Sequence, residues 1–393
     1  MLVAGAVVVS CGGAALGYRA MREAPRMSSC VQDFRLAYDA TCLLLQNGRV
    51  HCFGNPRKIG KELVWDPDTE VLQDPEPYPV QTEVRFSAID VGPYLACGLR
   101  REDGSVWCWG APHMGHRPPG VYPVENPELG KGNVALASVA GRVCVIGEEN
   151  AVACLTYDGE LLERLVEDAV EIEGSTWSAC ARTRQGEVWC WGSNGVGELG
   201  RGTTKEGRLD EWTEEPGPVQ GLPPDVESVR VRGQTTCAIT KEKQVWCWGS
   251  MNNSLLGDGL RWTEESGEPF PPQTLPVRLD LPPIRDFSIG HCFIAEDGSV
   301  WCWGTQADNR QLTKKIDVLP NGYAAIHPRP RKLEELGTDN VRIRIAGHVC
   351  VQKTNGSVWC WGRNYEGQTT RHTGPEDGDT WVGLTRMKVN CDG

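Results

Sequence analysis

Five copies of one pentapeptide, VWCWG, constrain this chain of 393 residues more than any other feature. A weaker copy reads VHCFG, and the cysteine of every copy has a partner ten or eleven residues upstream. The six copies are Val106–Gly110, Val188–Gly192, Val245–Gly249, Val300–Gly304, Val358–Gly362 and Val50–Gly54. With one further pair, the cysteine pairs are Cys42 with Cys52, Cys97 with Cys108, Cys144 with Cys154, Cys180 with Cys190, Cys237 with Cys247, Cys292 with Cys302, and Cys350 with Cys360. A unit that recurs seven times, roughly every 50 residues, predicts a modular array.

Each cysteine pair frames a predicted β-hairpin. Between Cys237 and Cys247, apolar residues alternate with others on both sides of the polar tip 241–243, as in two strands around a short turn. This register sets the two cysteines opposite each other, within the distance that a disulfide spans, so we predict a disulfide in each of the seven hairpins. The pair of Cys97 and Cys108 has one extra residue, which predicts a bulge or a longer turn. Zinc is the weaker interpretation, because the chain has no C-x-x-C pair and one hairpin offers only two thiolates.

The tryptophans of VWCWG predict strands that are buried on both faces. Side chains alternate along a strand, so the two tryptophans point to one face and the valine and cysteine to the other. Ten of the fifteen tryptophans lie in these five motifs. Apolar side chains on both faces are typical of a strand between stacked sheets. We therefore interpret these tryptophans as packing residues rather than as an aromatic ligand cage.

Charge and cysteine content bound the partners and the compartment. The net charge is −12, from 40 basic and 52 acidic residues, and lysine and arginine form no cluster or stripe. This argues against direct binding to nucleic acid. Of the 17 cysteines, 14 lie in opposed pairs, which is typical of proteins from an oxidising compartment.

The N-terminal residues fit export. An apolar run over residues 2–9 precedes Cys11, and the sequence VVSC resembles the lipobox of bacterial lipoproteins, in which the cysteine is lipidated. We predict a signal peptide over residues 1–11, a linker over 12–29 and one domain over 30–393, with a lipid anchor on Cys11 in the bacterial cell envelope, either periplasmic or at the cell surface. A plain signal peptide and a transmembrane anchor over residues 2–17 stay open. The basic residues that follow such an anchor would hold the domain in the cytoplasm, where disulfides are rare.

Each hairpin also has a recurring start and end. The segment VRVRGQTTC leads into Cys237, and WGSNGVGELGRG follows Cys190, with a Pro-Val step at Pro218-Val219. This order resembles the regulator of chromosome condensation repeat over about residues 31–389. The resemblance implies an all-β fold, a seven-bladed β-propeller whose blades are four-stranded antiparallel sheets. It also implies a structural hydrogen-bonding role for His291 and His348 at the start of their strands.

The chain departs from this repeat in several places. The third repeat reads AVACLTYDG and lacks the tryptophan pair, and the segments after Gly54, Gly110 and Gly304 lack the Gly-Gln-Leu-Gly pattern. Eukaryotic members that act as nucleotide exchange factors keep their cysteines reduced, so we do not expect that activity here. The chain resembles secreted bacterial members more, one of which, a β-lactamase inhibitory protein, binds another protein through a propeller face.

Three cysteines lie outside the seven hairpin pairs. If Cys11 carries lipid, Cys30 and Cys391 remain. One precedes the first repeat and the other follows the last, and the two ends of an array meet in a closed ring. We therefore predict a disulfide between Cys30 and Cys391 that joins the first and last repeats. The alternative is two free thiols, which are unusual in an oxidising compartment.

The connections that follow the pentapeptides vary in length, whereas the hairpins do not. They run over Asn55–Arg85, Ala111–Leu136, Ser193–Asp225, Ser250–Pro283, Thr305–Asn340 and Arg363–Lys388. Variable loops on a rigid scaffold are where binding residues concentrate. Trp212 and Trp262 each head a WTEE motif and Trp65 heads WDPDTE, so we predict these three tryptophans as protein-binding residues. The alternative is that each ring packs its loop onto its own blade.

The sequence predicts no catalytic, cofactor-binding or metal-binding residues. It contains no nucleophile elbow, phosphate loop or HExxH motif, and His113 and His116 lack a further ligand on their loop. We expect a monomeric, non-catalytic module of the cell envelope that binds a protein through inter-blade loops on one propeller face. The alternatives are an inhibitor of a secreted or periplasmic enzyme, and an enzymatic or carbohydrate-binding propeller. The latter would need carboxylates or histidines that converge in the central channel, and we find no such set in the sequence.

Overall fold

Seven four-stranded antiparallel sheets form a ring in the computed structural model, so the protein is an all-β, seven-bladed propeller, as predicted. The structure describes residues 30–55, 78–80, 82–92, 95–110, 120–139, 141–156, 159–204, 213–250, 272–290, 292–305, 326–364, 367–369, 381–389 and 391. Each blade is a simple meander, because its four strands follow one another in the chain and pair in that order. Each blade therefore comes from one continuous segment.

The strands are numbered in chain order, four to a blade. The first three blades contain β1 (Val31–Ala37), β2 (Ala40–Leu45), β3 (Val50–Gly54), β4 (Tyr78–Pro79); β5 (Phe86–Val91), β6 (Leu95–Arg100), β7 (Val106–Gly110), β8 (Gly120–Glu125); and β9 (Ala135–Val139), β10 (Arg142–Ile146), β11 (Val152–Leu155), β12 (Leu161–Leu162). Blades 4 and 5 contain β13 (Ala169–Gly174), β14 (Ser178–Thr183), β15 (Val188–Gly192), β16 (Thr213–Pro218); and β17 (Val226–Arg232), β18 (Thr235–Thr240), β19 (Val245–Gly249), β20 (Gln273–Arg278). Blades 6 and 7 contain β21 (Ile284–Ser288), β22 (Cys292–Ala295), β23 (Val300–Thr305), β24 (Ile326–Lys332); and β25 (Asn340–Ile345), β26 (His348–Lys353), β27 (Val358–Arg363), β28 (Trp381–Arg386). Short 3-10 helices at Pro127–Leu129 and Glu334–Leu336 precede β9 and β25.

Within each blade, the second and third strands form the predicted hairpin. The two cysteines of each hairpin lie directly opposite each other in all seven blades. All seven pairs are joined as disulfides, with Cα–Cα distances of 4.0 to 4.1 Å. From blade 1 to blade 7, these bridges join Cys42 to Cys52, Cys97 to Cys108, Cys144 to Cys154, Cys180 to Cys190, Cys237 to Cys247, Cys292 to Cys302, and Cys350 to Cys360.

The extra residue of the second blade's hairpin does not disturb this pairing. It lies in a longer turn, where Arg100 N–H donates to Ser105 O at 2.8 Å. Beyond the turn, Leu99 lies opposite Val106, and Cys97 still lies opposite Cys108. The longer turn therefore absorbs the additional residue, which is one of the two outcomes that the spacing predicted.

The final glycine of the pentapeptide is required by a close approach to the preceding turn. Gly249 has φ +95°, in the region that side chains disfavour, and a Cβ there would lie 2.3 Å from the carbonyl oxygen of Gln234. Gly54 shows the same arrangement, with φ +105° and 2.2 Å to the oxygen of Asp39. The glycine thus lets the third strand end tightly against the turn between the first two strands.

Seven separate clusters of buried residues fill the seven interfaces between blades. Each cluster contains the disulfide of one blade and, from the next blade, the residue that follows the second cysteine. From blade 1 to blade 7, these residues are Phe53, Trp109, Leu155, Trp191, Trp248, Trp303 and Trp361, all buried. The predicted packing between sheets therefore holds for the second tryptophan of each motif. In the third repeat a leucine takes its place.

The first tryptophan of each motif is only half-buried, in contrast to the prediction of full burial. Trp107, Trp301 and Trp359 pack at the edges of the interface clusters. Each of them donates its indole N–H to the hydroxyl of the serine two residues earlier, at 3.0, 2.8 and 3.1 Å. The indole N–H, which needs a partner away from water, is thus satisfied by a serine that is itself buried.

Non-covalent contacts and one disulfide close the ring, since no described blade takes a strand from the other end of the chain. Cys30 and Cys391 are joined, with Cα atoms 5.6 Å apart. Gln352 Nε2 donates to Val31 O at 3.1 Å, and Thr41 Oγ1 lies 2.5 Å from His348 Nε2. His348 therefore takes the hydrogen-bonding role that the family resemblance implies, whereas His291 lies outside the described residues.

We predict that the closing disulfide contributes more stability than any hairpin disulfide, because it spans 361 residues instead of ten or eleven. The chain-entropy model gives about 6 kcal/mol for so long a loop and about 3 kcal/mol for a ten-residue loop. A double variant with Cys30→Ala and Cys391→Ala should therefore unfold at a clearly lower urea concentration than the wild type. An unchanged midpoint would show that the non-covalent contacts close the ring unaided.

The closure should also weaken in acid. Burial lowers the pKa of His348 from 6.5 to about 3, whereas the same imidazole titrates near 6.5 in the unfolded chain. Between these values the unfolded state binds more protons, so the free energy of unfolding falls as pH falls, by at most about 1.4 kcal/mol per unit from this group. We expect the free energy of unfolding, measured by urea titration from pH 7 to pH 4, to fall less steeply with pH in His348→Gln than in the wild type. Identical slopes for the two proteins would contradict this assignment.

Candidate functional site

The first strands of the seven blades surround a central cavity of about 410 Å³. The side chains that reach it are set by strand register, because in most blades they lie opposite the first cysteine of the hairpin. These residues are Arg35, Asp90, Glu173, Arg230, Ser288 and Arg344. In blade 3, Ser138 reaches the cavity from the neighbouring position. Charged and hydroxyl groups therefore line the channel together with apolar residues, which include Leu36, Val231, Ile289 and Ile345.

Carboxylates of the first strands join each blade to the next. On blades 2, 4 and 6, one carboxylate accepts a backbone N–H from the first strand of the following blade. These contacts are Asp90 with Ser138 N at 2.7 Å, Glu171 with Val229 N at 3.2 Å and Asp286 with Ile343 N at 2.8 Å. The repeated geometry shows that the channel acids have a structural task between blades.

Guanidinium groups complete these links as ion pairs. Arg230 Nη1 lies 3.0 Å from Glu171 Oε1, and its Nη2 lies 3.7 Å from Asp286 Oδ1. Arg344 Nη1 lies 2.9 Å from Asp286 Oδ2, so Asp286 is shared between blades 5 and 7. A second set of ion pairs links blades 7, 1 and 2. Asp33 pairs with both Arg342 and Arg35, and Arg35 Nε also lies 3.7 Å from Asp90.

Burial dominates the titration of two of these carboxylates. It raises the pKa of Asp90 although Arg35 lies nearby, and it raises the pKa of Glu171 although Arg230 opposes the change. Partial burial makes a charge without its partner costly at these positions, where the side chains of Asp90 and Glu171 are 22% and 20% exposed. The described residues contain no group of three or more histidine, cysteine or acidic side chains arranged to hold a metal ion.

The sequence analysis found no set of carboxylates that converge in the channel, whereas the structure places several on the strands around it. Asp33, Asp90, Glu171, Glu173 and Asp286 all lie on the first strands that surround it. A sequence signal for part of this set exists. In five repeats the residue seven positions before the first cysteine is charged, and four of these residues, Arg35, Asp90, Glu173 and Arg230, line the channel, whereas Arg285 does not. The hairpin register brings these four residues opposite the cysteine.

One face of the propeller surrounds the mouth of this cavity. This channel-mouth face consists of the turns between first and second strands, at residues 38–39, 175–177, 233–234 and 346–347, and the first residues of the long connections, at Asn55, Ser193 and Ser250. The first residue of each of these three connections is hydrogen-bonded to a turn of the same blade. The backbone N–H groups of the three residues donate to Asp39 O, Trp177 O and Gln234 O, respectively, at 2.8 to 2.9 Å. All three described connections therefore leave the same face.

Two aromatic rings are exposed on the channel-mouth face. Tyr38 is 60% exposed and Trp177 is 40% exposed. The guanidinium carbon of Arg363 lies 4.4 Å from the centroid of the Tyr38 ring, a cation–π contact. Arg232 extends across the rim, where its guanidinium donates to Ile289 O at 3.2 Å and to Ala346 O at 2.8 Å. Sequence reasoning missed these residues, because only the three-dimensional arrangement shows which turns share a face.

The predicted inter-blade loops are a different kind of connection. Six fourth strands, β4, β8, β16, β20, β24 and β28, lie inside the ranges predicted as loops. In five of the six connections the longer part therefore joins the third and fourth strands of one blade, and in the connection around β8 the two parts have equal length. Residues Thr213 to Glu215 of the first WTEE motif begin β16. Trp65, Trp212 and Trp262, and also Cys11, lie outside the described residues.

Family models match the repeats directly. One model described as "Regulator of chromosome condensation (RCC1) repeat" matches residues 185–239, and a second with the same description matches residues 171–198 and 346–368. The chain is an RCC1-repeat protein. The matched repeat is offset from the blade by two strands, since residues 185–239 cover the third and fourth strands of blade 4 and the first two strands of blade 5.

Curated relatives carry the same repeat. The RCC1 domain-containing protein RUG3, mitochondrial, from Arabidopsis thaliana is 28% identical over 319 residues, which cover 72% of this chain and 67% of RUG3. The E3 ubiquitin-protein ligase HERC2 of Homo sapiens is 36% identical over 164 residues, which cover 41% of this chain and 3% of HERC2. The chain thus spans two thirds of one relative and a small part of the other.

Solved structures share the propeller. A chain in the crystal structure of Kap60 bound to yeast RCC1 (Prp20) superposes with a TM-score of 0.67 and 20% sequence identity, covering 95% of this chain and 91% of that one. At this identity the likeness concerns the fold. The RCC1 repeats here therefore build the same kind of ring.

The shared carboxylate of Asp286 gives the sharpest test of the ion-pair links. Asp286→Asn keeps an acceptor oxygen for the N–H of Ile343 but removes the carboxylate paired with Arg344 and one of those paired with Arg230, which keeps Glu171. Its free energy of unfolding should fall by about 3–5 kcal/mol, as for other broken buried pairs. The matched control is Glu149→Gln, whose pair with Arg164 is 78% and 59% exposed, and it should change stability by less than about 1 kcal/mol. If the two substitutions lowered the free energy of unfolding in urea equally, the ion pairs of Asp286 would not stabilise the contacts between blades.

Proposed function

We propose that this RCC1-repeat protein is a non-catalytic interaction module of the cell envelope that binds a partner protein through its channel-mouth face. The observation that carries the proposal is that the exposed rings of Tyr38 and Trp177 lie on the same face as the starts of the described long connections. Variable loops on a constant scaffold are typical binding segments. Exposed aromatic side chains are enriched among the residues that dominate protein interfaces.

The relatives support a role in protein binding. Yeast RCC1 (Prp20) has been solved bound to Kap60, and a separate study of Prp20p concerns its binding to Gsp1p and histones. Prp20, which shares this fold, is therefore a protein that binds other proteins. The extension to this chain rests on the shared fold and on its own exposed face, and we propose that one protomer binds its partner as a monomer.

The compartment follows from the cysteines. Eight disulfides join 16 of the 17 cysteines, which is typical of proteins outside the cytoplasm. Within the described residues, no helix has the length and apolar character of a membrane span. We propose that the remaining cysteine, Cys11, carries the lipid that attaches the protein to the envelope.

The binding face can be tested by placing a photo-crosslinking amino acid at either end of one strand of blade 4. Trp177 follows β13 on the channel-mouth face, and Val170 lies near the start of β13, at the opposite face, and is 37% exposed. Irradiation in envelope extract should give a discrete cross-linked protein from position 177 and none from position 170. The same product from position 170 alone would assign binding to the other face.

A substitution at Trp177 should separate binding from folding. The backbone N–H of Trp177 bonds to Ser175 Oγ and its backbone carbonyl accepts from Ser193 N, and alanine keeps both contacts. Trp177→Ala should therefore leave the melting temperature nearly unchanged, while it weakens binding to the cross-linked partner by at least about 2 kcal/mol. Full affinity in this variant would remove Trp177 from the interface.

The lipid anchor has its own test. Cys11→Ala should move the protein from the membrane fraction to the soluble fraction, because buried acyl chains supply the membrane affinity. Fractionation after a high-salt wash, followed by mass measurement of the N-terminal peptide, would show this change. A variant that stays membrane-bound and unprocessed would instead support the transmembrane-anchor alternative.

A further inference from the structure

The central cavity carries more positive than negative charge on its wall. Its lining includes the guanidinium groups of Arg35, Arg230, Arg232 and Arg344, but only the two carboxylates of Asp90 and Glu173. These arginines come from blades 1, 5 and 7, so they approach the cavity from different sides of the ring. The excess is local, because the chain as a whole has a net charge of −12.

Two of the carboxylates that hold these arginines lie outside the cavity wall, whereas Asp90 and Glu173, on the wall, lie 3.7 Å from Arg35 and Arg230. Asp33 pairs with Arg35 at 2.7 Å, and Asp286 pairs with Arg344 at 2.9 Å. Neither aspartate belongs to the cavity wall. Each pair thus fixes its guanidinium from behind, and the side chains of Arg35 and Arg344 remain 31% and 19% exposed. A guanidinium has five N–H donors, so one ion pair leaves others for a ligand.

The guanidinium groups also lie close enough to repel one another. Burial, together with the charges of Arg230 and Arg35, lowers the pKa of Arg344 although Asp286 opposes the change. The Nε–H of Arg230 is buried and meets no acceptor among the described residues. A bound anion would offset this repulsion and supply acceptors.

Two serines add neutral donors to the same cavity. The hydroxyl of Ser138 is buried and has no partner in the described part of the chain. The hydroxyl oxygen of Ser288 accepts the N–H of Ile345 at 2.9 Å, so its proton is left to donate. Both residues line the cavity. Hydroxyl and guanidinium donors around one enclosed space form a donor set suited to oxyanions.

We propose that the central cavity binds a small, multiply charged oxyanion of the phosphate or polycarboxylate class, held by Arg35, Arg230 and Arg344 with hydrogen bonds from Ser138 and Ser288. Arg232 lies at the rim and adds attraction at the mouth. The volume of about 410 Å³ admits a free anion of this size, and it also admits acidic side chains that a partner protein presents to the mouth. The chemistry of recognition is the same for both sources.

The test is calorimetric titration of the purified, oxidised protein with inorganic phosphate and, separately, with a tetra-aspartate peptide. Sodium chloride keeps the ionic strength constant, because screening would otherwise mimic weaker binding. The wild type should give saturable heat with at least one probe. Tighter binding of phosphate assigns the cavity to a free anion, and tighter binding of the peptide assigns it to acidic side chains of a protein.

Three variants locate the site. Arg344→Gln should weaken binding about tenfold or more, since a hydrogen bond to a charged group is lost. Ser138→Ala should weaken it about fivefold and removes only a hydroxyl that bonds nothing in the described structure. Arg184→Gln, at a 61% exposed residue paired with Asp168 away from the cavity, should bind like the wild type.

Two results would overturn the proposal. One is the lack of saturable heat with either probe below 10 mM, on the order of the weakest affinity that a specific site of this size would show. The other is wild-type affinity in Ser138→Ala, which decides the matter even if Arg344→Gln fails to fold. Neither probe is the partner proposed for the channel-mouth face. The titrations therefore test only the anion site, and the cross-linking experiment tests the interface.

Discussion

Each blade of this propeller presents a disulfide to the next blade and a large apolar side chain to the previous one. This follows from the alternation of side chains along one strand, because cysteine and the residue after it must point to opposite faces. In the interface between blades 4 and 5, for example, Trp248 shares a buried cluster with Cys180 and Cys190. The disulfide fixes the hairpin, and the tryptophan supplies most of the apolar area that the neighbouring blade covers. All seven interfaces repeat this arrangement, so the fold is specified by a rule about neighbours rather than by one central core.

The interface between blades 7 and 1 differs from the others in its aromatic residue and in its additional contacts. Its aromatic residue is Phe53, which buries less area than the tryptophans of five other interfaces and packs near Cys350 and Cys360. Here the structure adds the Cys30–Cys391 disulfide, the hydrogen bond between His348 and Thr41 and the ion pair between Arg342 and Asp33. In a ring made of continuous blades, the last interface brings together residues that are farthest apart in the chain, so it carries the largest entropic cost of closure. The additional contacts therefore stabilise the interface whose formation has the largest entropic cost.

The local part of the fold could be predicted from the sequence, and the channel could not. The register of Cys237 against Cys247 depends on a turn of a few residues, so spacing alone predicts it. The pairing of Arg230 with Asp286 depends on which blades are neighbours and on how deep each strand lies, and no local pattern contains that information. The fourth strands escaped prediction for another reason. Strand β16 reads TEEPGP, with two prolines and no alternation, which is tolerated because proline is accepted on an edge strand. The Pro-Val step at Pro218-Val219 marks the end of this strand and was the available signal.

The polarity of the channel has a geometric cause. Seven first strands converge on one axis, and their inward side chains are too far apart across the cavity to pack as a closed apolar core. Charged side chains solve this problem, because a carboxylate such as Asp286 reaches both a backbone N–H and a guanidinium of adjacent blades. This arrangement also leaves N–H donors directed at the cavity. Arg344, for example, donates to Asp286 and to Ile343 O through Nη1 alone. A channel stabilised in this way is therefore already equipped to hold an anion. The loops of the channel-mouth face begin beyond the terminal glycines, outside the buried interface clusters, so they can vary without disturbing either the packing or the ion-pair links.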